Sequence, residues 1–86
     1  PGDYAVVMHE VGDNGRVKDV NMLTVHSLVF DAEGVCVAAM TTLGAHVGAP
    51  LVGPEGEVTQ ADENGGNKQF WPNVQTYLAW ARKNIH

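Results

Sequence analysis

A single cysteine in 86 residues excludes an internal disulfide. Small secreted domains that cannot build a sufficient core are ordinarily stapled by several bridges, so Cys36 points to a reducing cytoplasm. Long apolar runs are missing too: no segment reaches the roughly 18 apolar residues of a membrane span. Pro1-Gly2-Asp3-Tyr4 shows no basic stretch leading into an apolar one, so the expected location is cytoplasmic, with no membrane partner. Positive charge is scarce as well. Five Lys+Arg stand against ten Asp+Glu, a formal net charge of −5, which removes any general attraction for phosphate backbones and so excludes nucleic acid as a partner. Ten scattered acids are also too few for a carboxylate surface imitating DNA.

What is present suits a folded chain. Hydrophobic residues make up 44% and charged residues 17%, a globular balance rather than a disordered one, at a length that fits one domain. Charge is unevenly spread. Ten acids and two bases leave residues 1–67 at −8, while three bases and no acid give residues 68–86 a charge of +3. Arg82 and Lys83 fall where a last helical turn would place them to complement the helix dipole.

We read 1–86 as a single domain: a β-meander over 4–41, a Gly/Pro-rich connection over 44–69 and a C-terminal helix over 72–85. Residues 4–11 are β-rich and end at Gly12. Asp13-Asn14-Gly15-Arg16 predicts a tight two-residue turn, because Asn-Gly tolerates positive φ. Residues 17–30 read as one long second strand, Asp31–Gly34 as a turn and 35–41 as a third strand. The connection holds six of the ten glycines with Pro50 and Pro54. So long a stretch without structure is improbable in a compact domain, and a short helix at 42–47 or a fourth strand at 57–60 is expected to interrupt it. Pro72 suits the first helical position, after which Val74, Tyr77, Leu78, Ala81 and Ile85 form one apolar stripe at helical spacing. The predicted class is α+β, a three- or four-stranded antiparallel meander packed against one C-terminal helix.

Pairing the strands symmetrically about the two turns sets His9 opposite Val20, Met8 opposite Asn21 and Asp13 opposite Arg16. It also sets His26 opposite Ala39, Leu28 opposite Val37, Val29 opposite Cys36 and Phe30 opposite Val35. Glu10 then faces Asp19, a like-charge pair that implies fraying or a bulge. The period of two makes both faces apolar, one with His9, Met22, His26 and Leu28, the other with Val6, Val25, Val29 and Ala38. One helix shields only one of these. The other needs the 44–69 connection, a second copy or a different protein, since large bare apolar patches are unusual on soluble monomers.

Catalytic patterns are lacking. Cys36 and His26 point to opposite faces, so they form no thiol–imidazole pair, and buried cysteine ordinarily acts as a small hydrophobe. The histidines at 9, 26, 46 and 86 lack metal-ligand spacing. Asp62-Glu63-Asn64-Gly65-Gly66-Asn67 lacks the calcium-loop order and reads as a solvated turn. Gly53-Pro54-Glu55-Gly56 is no phosphate cradle, and Glu55 and Glu57 show no pocket for acid–base work. We therefore expect no catalytic residue, no metal and no cofactor. The remaining candidate is aromatic: Phe70, Trp71, Tyr77 and Trp80 are four of the six aromatics. Trp80 sits at the edge of the helical stripe beside Asn73, Tyr77 and Asn84, near Arg82, a composition typical of interface hot spots; the alternative is that Trp71 and Trp80 cap the core. Asn73, Tyr77, Trp80, Arg82 and Asn84 are the expected contact residues. The expected function is a non-enzymatic protein-binding accessory module, a homodimer acting as inhibitor, adaptor or assembly subunit. The alternative is a small-molecule-binding or catalytic domain with its site under 44–69, using His26, His46 and a loop carboxylate.

Overall fold

Residues 17–30 contain neither glycine nor proline, yet the strand they form breaks in two. In the computed structural model, which describes residues 4–61 and 68–85, β2 (Val17–Thr24) ends and β3 (Ser27–Phe30) begins across Val25–His26. Consecutive amides change partner there: the Val25 N–H donates to the Tyr4 carbonyl at 3.0 Å, and the His26 N–H to the Met40 carbonyl at 2.8 Å. β2 thus belongs to one sheet with β1 (Ala5–Val11), and β3 to another with β4 (Cys36–Thr41).

The chain is α+β. After β4 come β5 (Gly44–His46), β6 (Leu51–Val52), β7 (Val58–Ala61), β8 (Lys68–Trp71) and helix α1 (Val74–Asn84). The larger sheet has five strands in the order β2-β1-β6-β7-β8, and the smaller has three in the order β3-β4-β5. Every pairing is antiparallel. The connection from residue 44 onward therefore carries strands of its own. The expected fourth strand is present as β7, and the short helix expected at 42–47 is a β-hairpin turn leading into β5.

The β1–β2 register follows the symmetric pairing, His9 opposite Val20 and Met8 opposite Asn21, and the like-charge pair Glu10–Asp19 is followed by a bulge at Glu10/Val11. In the second hairpin Val29 faces Ala38, Leu28 faces Ala39 and Phe30 faces Cys36, so the expected partners Cys36, Val37 and Val35 are displaced. Turn chemistry accounts for the offset. Three hairpins share one closure, in which a glycine amide donates back three residues at 3.0 Å and the outer pair closes at 2.9 Å: Gly12 to Arg16, Asp31 to Val35 and Gly53 to Glu57. Gly15, Gly34 and Gly56 take φ of 78°, 81° and 80°, and among the described residues no non-glycine has positive φ. A two-residue Asn-Gly turn would need positive φ at Asn14. The loops are instead three-residue ones closed by a left-handed glycine, and in the first two hairpins a one-residue register shift follows, at Glu10/Val11 and at Val29/Phe30. Side chains lock them: Asn14 Oδ1 accepts from the Arg16 N–H, and Asp31 Oδ1 accepts from Glu33 and Val35.

A Cβ at Gly34 would meet nothing within 4 Å, so Gly34→Ala adds no clash, only left-handed strain. It is expected to cost about 1–2 kcal/mol in urea unfolding, whereas Gly12→Ala, without positive φ, stays near neutral.

The larger sheet is apolar on both faces, and each is covered. On one side Val7, Val17, Val52, Val58 and Trp71 pack under Tyr77 and Ala81 of α1, with Val74, Leu78 and Ile85 at the margin, as the helical stripe implies. On the other side Val6 packs with Val25 and Ala39, joined by Met8, Leu28 and Leu51. The small sheet is this second cover. The break at Val25–His26 folds β3 and β4 back over β1, which sets Leu28 rather than Val29 against Val6. The second face therefore needs no other chain to shield it.

Candidate functional site

The helix was the first place expected to meet a partner. Asn73 is its N-cap, with extended backbone and a side-chain oxygen accepting from the Thr76 N–H at 2.8 Å, so Pro72 lies one position before the cap rather than at the first helical residue. Tyr77 is fully buried. Its hydroxyl lies 2.6 Å from His9 Nε2, and its ring meets Trp71 edge-on at 4.8 Å. Burial pushes the phenol above its ordinary pKa. Trp80 is half-buried against Trp71 at 5.0 Å, Asn84 donates to the Trp80 carbonyl at 2.8 Å, and Arg82 donates to the Lys18 carbonyl at 2.7 Å. The structure corrects the expected strip at Tyr77, which lies in the core because its ring fills the space between α1 and the sheet. Of the four others, Asn73, Arg82 and Asn84 are exposed, and each makes one of these contacts within the chain. Asn73→Ala is expected to lose about 1 kcal/mol of stability, read as a fall of roughly 4–8 °C in Tm.

The three histidines among the described residues do not converge. His9 bonds Tyr77, His46 Nε2 lies 2.8 Å from Thr41 Oγ1, and His26 stands exposed at the strand break. Among the described residues no three His, Cys, Asp or Glu side chains come together to hold a metal; the Asp62–Asn67 run and His86 lie outside them. Glu57 folds over Gly53 and takes the Glu55 N–H at 3.0 Å, so these carboxylates shape a turn. Cys36 is a free thiol whose Sγ donates to the Ala38 carbonyl at 3.5 Å.

Two surface features remain. The first is the outer face of the small sheet. Leu28, Ala39 and His46 are ladder partners turned inward, so Val29 with Ala38 and Met40 with Ala45 point away from the larger sheet. Val29 is 43% exposed. Val47, just past β5 on the same alternation, is 60% exposed, and Phe30 and Leu43 at the ends of this sheet are 56% and 68% exposed. The sequence marks both strand faces as apolar, and the structure decides that the one with Val29, Ala38 and Met40 is turned outward. The second is a cleft of about 130 Å³ between the sheets, lined by Cys36, Ala38, Ala39, Ala49, Leu51 and Thr59. It lies under the start of the 44–69 connection, but neither His26 nor His46 lines it.

Compared with family models, curated proteins and solved structures, the chain shows no match. Among the described residues no helix is long and apolar enough to cross a membrane.

Proposed function

We propose that the chain is a non-enzymatic cytoplasmic protein-binding module, an inhibitor, adaptor or assembly subunit, that pairs with a second copy of itself through the outer face of its small sheet. The supporting observation is the concentration of bare apolar side chains there. Of the seven large hydrophobics exposed among the described residues, Val29, Phe30, Leu43 and Val47 belong to this sheet and its ends, and apolar patches left facing water mark interaction sites. Two such sheets stack face to face about 10 Å apart, each desolvating the other. Cys36 remains a reduced thiol in this setting.

The small-molecule reading asks for a site under the 44–69 connection, and the cleft beside Cys36 lies under its start, but none of the residues of that reading, His26, His46 or a loop carboxylate, lines it. The cleft's 130 Å³ also falls well short of the roughly 300–1,000 Å³ of ordinary ligand pockets. Protein association is therefore the better supported of the two.

Light scattering tests it. The purified chain is expected at twice its 9.2 kDa, and Val29→Asp with Val47→Asp is expected to give monomer with unchanged circular dichroism. A wild-type monomer at every concentration up to the millimolar range refutes the pairing.

A further inference from the structure

Four of the chain's five cations gather at one end of α1. Arg16 and Lys18 come from the first hairpin, while Arg82 and Lys83 occupy the last helical turn. Arg16, Lys18 and Arg82 line one open cleft of about 520 Å³ with Gly12, Asp13 and Asn14. All three basic side chains are exposed, and Asp13 is the one carboxylate on the wall, so the cleft carries a local charge of +2 on a chain of −5.

This arrangement is organised. Arg82 Nη2 donates to the Lys18 carbonyl at 2.7 Å, which fixes one guanidinium over the mouth of the hairpin and leaves its other N–H groups for a ligand. Asn14 Oδ1 holds the Arg16 amide, and the closure from Gly12 to Arg16 sets the loop. The negative end of the helix dipole, about half a charge, opposes an anion here, but it is outweighed by Arg82 and Lys83. Two of its carbonyls are also occupied, Ala81 by the Ile85 N–H and Trp80 by the Asn84 amide. Guanidinium groups pair with oxyanions through two parallel hydrogen bonds. Screening over about 8 Å at physiological salt lets the local cations outweigh distant acids for a small ligand, while a long polyanion would lie along the acidic remainder.

We propose that this cleft binds a phosphate group, as the free ion or as a small phosphomonoester. It shares no residue with the outer face of the small sheet, so it stands or falls separately from the pairing of copies.

Nuclear magnetic resonance titration of the whole chain decides it. Inorganic phosphate is expected to give saturable amide shifts confined to residues 12–18 and 81–84, with O-phosphoserine bound more tightly if the ligand is an ester and less tightly if it is the free ion. Arg16→Gln, which leaves the Arg82–Lys18 contact intact, is expected to weaken binding about tenfold. Arg82→Lys keeps the charge and loses the fork, with a similar loss. Linear, non-saturating shifts, unchanged affinity in Arg16→Gln, or saturation by a Glu-rich peptide without saturation by either phosphate overturns the proposal.

Discussion

Tyr77→Ala is expected to unfold the protein or bring it to the edge of unfolding. The side chain is fully buried, packs on Trp71 of β8 and Trp80 of α1, and ends in a hydrogen bond with His9 of β1. Truncating a buried aromatic to alanine costs about 3–5 kcal/mol. A domain of this length has roughly 4–13 kcal/mol in all, so one substitution removes a large part of it. Tyr77→Phe separates packing from hydrogen bonding. It keeps the ring and leaves His9, which is only half-buried, free to meet water, so about 1 kcal/mol is expected to be lost.

The same pair reports on pH. Burial raises the Tyr77 pKa in the folded state above its unfolded value near 10. Between those two values the unfolded chain binds fewer protons than the folded one, so stability falls as pH rises. The contribution is fully present below pH 10 and disappears as the pH passes upward through the folded value. Urea unfolding of the wild type at pH 8 and pH 11 should therefore show a loss that Tyr77→Phe lacks. An identical loss in both would place the phenol outside the core.

Val6→Asp is expected to abolish folding outright. Val6 is fully buried on the central strand pair, between Leu23 and Leu51 and beneath Val25 and Ala39. An aspartate there either holds an unpaired charge away from water or stays protonated at comparable expense, several kcal/mol in each case. Val29→Asp, on the opposite side of the small sheet, is expected within about 0.5 kcal/mol of wild type at concentrations low enough for both to be monomeric. Circular dichroism in urea checks both. A folded Val6→Asp would mean that the small sheet does not cover the larger one.

Particular residues show why some of this was legible in the sequence. The helix was readable because Val74, Tyr77, Leu78, Ala81 and Ile85 repeat at a period no strand shares, and all five pack on the sheet. The first hairpin was readable because strand pairing near a turn is local, which is why His9 finds Val20 and the Glu10–Asp19 repulsion sits beside a bulge. Asn14-Gly15 located its turn but misjudged the type, since the glycine closes a three-residue loop and Asn14 keeps ordinary φ. Of the later strands β7 was expected at 57–60, while β5, β6 and β8 were hidden by brevity. Two to four residues show no periodicity, and β6, only Leu51–Val52, is a strand because β1 and β7 flank it. Among the expected contact residues Tyr77 was misread: a helical wheel orders side chains around an axis but does not say how far the sheet reaches beneath it, and Tyr77 lies wholly under it.

From its own pattern the chain determines α+β class, antiparallel pairing, the terminal helix and the apolar character of both strand faces. All of these follow from local periodicity and turn chemistry. Only the tertiary structure decided what covers the second face. The break at Val25–His26 has no glycine or proline to announce it; it exists because the Val25 amide finds Tyr4 while the next finds Met40. A partner fourteen or more residues away cannot be read from neighbours along the strand, and that choice of partner turns Val6 inward and leaves Val29 facing water.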